Sequence, residues 1–203
     1  MLTLFHWKDA CSLASLITLK EAELEHDVYV VNLPAGDQRK PEFLALNPKG
    51  RVPALKTDRG ILTETPAILI YLAQLAPDKK LAPFDDPFAL ATLQSFNAFL
   101  CSTVHVAHAH RMRGSRWADE QSSFDDMQRR VPGNIADGCR QIEETMFAGP
   151  WVMGETFSVA DPYLFVICSW TKVDGVDIAD FPKLHDHFRR MSDRPSVQAA
   201  LAM

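Results

Sequence analysis

The chain has 203 residues, long enough for one large domain or two small ones with a buried core. With 47% hydrophobic and 23% charged residues it has an ordinary globular composition, and its formal net charge of −5 argues against a nucleic-acid partner, which needs a basic field. No apolar run nears the roughly 20 residues of a membrane-spanning helix, and Met1–Asp9 lacks the basic and apolar regions of a secretory leader, so a cytoplasmic protein without a membrane partner is expected.

In chain order, Leu2–Phe5 reads as a short strand and His6–Asp9 as a turn. Cys11–Ala22 has the helical spacing of Leu13, Leu16, Ile17 and Leu19. Val28–Val31, β-branched and aromatic, is a second strand, which makes a βαβ unit with parallel strands. Leu33–Lys40 is a surface loop, and Pro41–Leu46 is a short helix ended by Asn47-Pro48-Lys49-Gly50. Val52–Thr57 is a third strand, turning at Asp58-Arg59-Gly60 into Ile61–Thr63. Pro66–Ala76 is a helix with Ile68, Leu69, Tyr71, Leu72 and Leu75 on its apolar face. Residues 1–77 thus read as a compact α/β domain, β-α-β-α-β-β-α.

Prolines 77, 83 and 87 mark a linker over 78–86, and 87–203 reads as all-helical. Phe88–Met112 is one long helix, and Ala118–Phe147 is another, interrupted at Pro132-Gly133. Ser158-Val159-Ala160-Asp161 is a capping box, with Asp for the usual Glu, that opens a helix through Trp170. Pro162 is awkward inside that helix, because it lacks the N–H an interior position bonds. Two short helices follow Phe181 and Arg194.

Two features carry chemistry. Pro53 stands where a strand should begin, and a cis X-Pro bond is the usual reason for a proline in such a turn. That geometry would leave the N–H and C=O of Val52 unpaired, ready for the backbone of an extended peptide. Close by, Thr65 reads as an N-cap and Pro66 as the first helical residue, and a helix N-terminus with open N–H groups suits a carboxylate. Cys11 lies after the first strand at the start of the first helix, where the helix end favours a thiolate. The other cysteines, at 101, 139 and 168, are scattered without a C-x-x-C pair, which argues against a zinc knuckle or a two-cysteine redox motif.

Ala10-Cys11-Ser12-Leu13-Ala14-Ser15, the run Pro41–Leu55, Glu64-Thr65 and Phe157–Tyr163 together resemble the soluble glutathione transferases, over essentially the whole chain. The cysteine signature is similar to that of the bacterial beta class. The resemblance implies a thioredoxin-like α/β domain at 1–77, a linker at 78–86 and an all-α domain at 87–203 that lines the pocket of a small electrophile. It implies a homodimer working in detoxification, with glutathione as co-substrate, and Cys11 as the catalytic thiol, with Ser12 as an alternative activator. Glutathione contacts are expected from Arg39, Arg51, Val52, Pro53, Glu64, Thr65 and Asn97, with Gln38 and Lys40 as alternatives to Arg39 for the glycyl carboxylate. Phe5, His6, Trp7, Val104, His105 and His108 are candidates for the electrophile pocket, Val104 falling where the class carries a histidine. His105 and His108 share a helix face, as metal ligands do, but a zinc site needs a third ligand and none is expected. A glutathione-dependent isomerase or dehalogenase on the same frame, or a non-enzymatic ligand-binding module, are the rival readings.

Overall fold

The computed structural model describes residues 1–203. Strands β1 (Leu2–His6), β2 (His26–Val30), β3 (Ala54–Thr57) and β4 (Gly60–Thr63) form one mixed sheet in the order β2-β1-β3-β4. Nine α-helices follow the chain: α1 (Ser12–Glu21), α2 (Pro41–Leu46), α3 (Thr65–Leu75), α4 (Pro87–Phe99), α5 (His105–His110), α6 (Gln121–Gln141), α7 (Ala160–Trp170), α8 (Pro182–Ser192) and α9 (Pro195–Leu201). This is the α/β-then-helical architecture expected from the sequence. The chain divides into two compact units, Met1–Leu90 with Met191–Met203, and Ala91–Arg190, so α9 joins the sheet-bearing unit. No helix is long and apolar enough to cross a membrane.

In the first unit β1 runs parallel to β2, with Leu4 opposite Val28, and antiparallel to β3, with Leu4 opposite Leu55. The β3–β4 hairpin sets Ala54 opposite Thr63. Helix α1 is buried continuously from Ser12 to Leu19, because β1, α3 and α9 all pack on it. Phe5, Phe43, Val31, Val52 and Ala54 make a separate apolar cluster, where the Phe5 and Phe43 rings meet edge to face at 5.8 Å. Arg194 at the start of α9 clamps Glu21 at the end of α1 through two hydrogen bonds, of 2.6 and 2.7 Å, and Ser196 adds a third.

In the second unit, α7 is buried on nearly every face, as its run of apolar residues requires. The helix expected over 88–112 forms from Pro87 to His110 but contains a wider π turn at Leu100–Val104. The break expected at Pro132-Gly133 does not occur: α6 runs through both residues. Pro132 is exposed, while Val131, Ile135, Gly138 and Cys139 are buried along the other face, so packing holds the helix across one missing hydrogen bond. Pro162 finds its explanation in the start of α7 at Ala160. It is the third helical residue, and the N–H it lacks is one that no intrahelical carbonyl would bond. The carboxylate of Asp161 reaches back to the N–H of Ser158 at 2.7 Å, one half of a capping box, and also accepts from Val152 N–H and His187 Nε2.

Candidate active site

The sheet register brings three segments to one edge. Phe5 opposite Ala54 puts the turn after β1 beside Val52-Pro53, and Ala54 opposite Thr63 puts Glu64-Thr65 on the other side. The Val52–Pro53 peptide is cis. Val52 precedes the first ladder residue of β3, so the strand begins two residues later than its sequence suggests. The Val52 carbonyl is not open as expected: the Cys11 thiol donates to it at 3.4 Å.

Cys11 is the residue before α1, with 9% of its surface exposed. The N–H groups of Leu13 and Ala14 are spent on the carbonyls of Ala10 and Cys11. The Ser12 side chain faces inward. Its hydroxyl is fully buried, donates to the Trp7 carbonyl and accepts from the Trp7 N–H, both at 3.2 Å, and lies 2.8 Å from His6 Nδ1. Ser12 therefore braces the 7–11 turn, a correction to its candidacy as thiol activator.

His6 and Phe5 also turn inward. Phe5 belongs to the apolar cluster, and His6 is buried against Ser12. Burial pushes the His6 imidazole below its ordinary pKa, outweighing the opposing pull of Ser12 and of Asp9. Trp7 is half-buried and packs on the same cluster.

At the start of α3 the capping position is Glu64, one residue earlier than expected, with Thr65 and Pro66 as the first two helical residues. Glu64 has φ 73°, uncommon for a residue with a side chain, and its carbonyl accepts from Ile68 N–H at 3.0 Å as the first intrahelical bond. The N–H groups of Thr65 and Ala67 precede that bond, and the Thr65 side chain is buried beside them. Lys49, in the turn after α2, holds the Glu64 carboxylate at 2.6 Å, a contact unseen in the sequence because Lys49 read only as part of a helix stop.

Among the candidate cations, Arg51 is exposed, and Asn47 Nδ2 fixes its backbone by donating to its carbonyl at 2.7 Å. Lys40 is taken by Asp37 at 2.7 Å. Arg39 lies against Gly50, whose φ of 59° and close neighbours leave little room for a Cβ: one would sit 3.0 Å from both Arg39 Nη1 and the Gln38 carbonyl. Gln38 Oε1 is buried without a hydrogen-bond partner.

The remaining candidates lie in the second unit. Asn97 is fully buried, and neither of its side-chain polar atoms has a partner. Val104 is buried against Gly138 of α6, which corrects its place as a pocket residue. His105 Nδ1 lies 3.2 Å from the Tyr163 hydroxyl, and His108 stacks on Trp170 at 4.2 Å with Nδ1 2.7 Å from Asp174 Oδ2. Arg111 Nε approaches the same carboxylate at 3.2 Å without hydrogen-bond alignment. A π turn at Leu100–Val104 leads directly into His105. No three His, Cys, Asp or Glu side chains gather as a metal site. Burial and the charges of Glu143 and Asp174 push the Cys139 thiol up to about 12, and burial raises Cys168 as well.

A family model described as glutathione S-transferase, N-terminal domain, matches residues 10–75, which hold Cys11, Val52, Glu64 and Thr65. Glutathione S-transferase GstA of Escherichia coli O157:H7 is 30% identical over 202 residues, covering 98% of this chain and 96% of that protein. The chain belongs to the glutathione S-transferase family. Among solved members, a glutathione transferase homolog from Sulfitobacter with bound glutathione is 48% identical, with a TM-score of 0.95 over 98% of this chain and 96% of that one. A bacterial beta class glutathione S-transferase from Sphingomonas chungbukensis is 35% identical, with a TM-score of 0.86 over 98% and 97% of the two chains.

Proposed function

We propose that this glutathione transferase holds glutathione along Val52 and the start of α3, and runs its thiol chemistry at Cys11. The carrying observation is the 3.4 Å approach of Cys11 Sγ to the Val52 carbonyl, which sets a thiol beside the backbone group that would pair with the ligand's cysteine. The γ-glutamyl carboxylate takes the N–H and hydroxyl of Thr65, and Glu64 faces the α-ammonium. Arg39 or Arg51 takes the glycyl carboxylate, since Lys40 is paired with Asp37.

In conjugation, the glutathione thiolate attacks an electrophilic carbon and the leaving group departs with the bonding pair. In exchange, the Cys11 thiolate attacks the glutathionyl sulfur of a mixed disulfide, expels the other thiolate, and is released by a second glutathione as glutathione disulfide. Ser12 keeps the turn in shape. Residues 1–77 serve as the glutathione domain and 87–203 as the part that serves the electrophile, joined by 78–86; family likeness supports a cytoplasmic homodimer.

Calorimetric titration of glutathione onto the native protein and Thr65→Val tests the reading. A loss of about tenfold in affinity is expected for a hydrogen bond to a charged group. Unchanged binding removes the assignment.

A further inference from the structure

The ammonium of Lys49 lies 2.6 Å from Glu64 Oε1 and 2.9 Å from Thr63 Oγ1. Neither partner hangs from a loose backbone. Asn47 shapes the Lys49 turn, donating to the Arg51 carbonyl at 2.7 Å and accepting from the Lys49 N–H at 3.2 Å. Glu64 is fixed by the first hydrogen bond of α3, from Ile68 N–H to its carbonyl. Both side chains are about half exposed, 51% and 59%, so a ligand in solution reaches the pair.

We propose that Lys49 is a resident counter-ion of Glu64 that stands in for the ligand's α-ammonium, so the site takes γ-glutamyl thiol peptides and their amine-lacking analogues with similar affinity. The proposal rests on the glutathione reading above. Glu64 places a negative charge next to the helix end that must accept the ligand's carboxylate. Unless neutralised, that charge opposes binding. Lys49 neutralises it before any ligand arrives, and an incoming ammonium then joins a pair already balanced. Without Lys49 the ligand itself must bring the cation, and its amino group becomes a requirement. Selectivity for the amine is thus a difference of affinities that Lys49 sets. Exposed ion pairs shift equilibria by up to about fivefold, which bounds the effect.

Full-length protein and Lys49→Met are titrated calorimetrically with glutathione and with glutaryl-cysteinyl-glycine, which lacks only the amine. The native protein is expected to bind the two within about twofold, and Lys49→Met to keep glutathione within about twofold while weakening the deaminated peptide by about fivefold. Equal weakening of both ligands, no change in either, or native discrimination beyond about tenfold overturns the role of Lys49. Thr65→Val separates the two levels. If that variant weakens both ligands but Lys49 does not alter their ratio, only the counter-ion proposal fails. If the native protein binds neither ligand, or Thr65→Val binds both undiminished, the glutathione reading fails and takes the proposal with it.

Discussion

Cys11 Sγ and the carbonyl oxygen of Val52 are 3.4 Å apart, joining the end of the β1 turn to the chain just ahead of β3. The thiol is the donor in this contact. On the proposed reading, a peptide N–H that pairs with Val52 competes for that carbonyl and brings its own sulfur beside Cys11. The chain is therefore expected to form a mixed disulfide with oxidised glutathione at Cys11 and nowhere in the core, where Cys139 and Cys168 have their thiols pushed far above neutrality. Intact-mass measurement after incubation should show one adduct, absent from Cys11→Ser. An adduct that survives Cys11→Ser would place the reactive thiol elsewhere.

The inward turn of His6 makes a pH prediction. Its folded pKa lies below the ordinary value of about 6.5, chiefly because it is buried. As pH falls below about 6.5 the unfolded chain takes up this proton first, so stability falls until the folded imidazole protonates as well; above that window the group has no effect. His6→Asn keeps a polar atom near Ser12 and loses the titration. Its melting temperature should vary less between pH 6.5 and 5 than that of the native protein, measured by circular dichroism on the same buffers. An equal slope in both would show that His6 does not titrate against burial.

The order of elements, the βαβ start and a helix close to Thr65–Leu75 were all legible in the sequence, because each rests on local periodicity or on punctuation by proline and glycine. What was not legible depended on tertiary packing. Pro132 reads as a break, yet α6 continues because its buried face holds it. Phe5 and His6 read as pocket residues next to a turn, but strand alternation and the Ser12 contact take them into the core. Of the site, Cys11, Val52, Glu64 and Thr65 stood out through helix starts and the proline, whereas Lys49 is visible only once the turn after α2 is folded beside α3. The π turn before His105 has no sequence signature in an apolar helix.

Arg194 and Glu21 tie α9 to α1 within the sheet-bearing unit, and that pair is open to measurement. Burial pushes the Glu21 carboxyl up, but the hydrogen bonds of Arg194 and Ser196 outweigh it and hold it below the usual carboxylate range. The stabilisation is therefore complete above about pH 4.5 and is lost as pH falls through the lower folded value. Arg194→Met should cost about 2 kcal/mol at neutral pH, the scale of charged hydrogen bonds lost from a partly buried carboxylate. Urea unfolding of the two proteins at pH 7 and pH 3 should show the difference shrinking at the lower pH. A cost that is the same at both would mean the guanidinium acts by packing alone.

Asp161 concentrates the polar bonding of the helical unit in one fully buried carboxylate. It accepts from Ser158 N–H at 2.7 Å, Val152 N–H at 2.9 Å and His187 Nε2 at 3.0 Å, with the rings of Phe147 and Trp151 edge-on to His187. Asp161→Ala leaves these three donors buried without an acceptor, and at about 1–3 kcal/mol for each unsatisfied donor a total cost of about 3–5 kcal/mol is expected. For a chain of this size each kcal/mol lowers the melting temperature by about 2–4 °C, so a fall of roughly 10 °C is expected. Ser158→Ala removes only the hydroxyl of the cap and should cost about 1 kcal/mol. His187→Phe removes a buried donor together with its acceptor demand, and in the Asp161→Ala background it should cost less than it does alone, because the bond it would break is already gone. Chemical denaturation of the three single variants and the double variant measures each term. If Asp161→Ala costs no more than Ser158→Ala, the carboxylate is an ordinary helix cap and not the junction of Val152, Ser158 and His187.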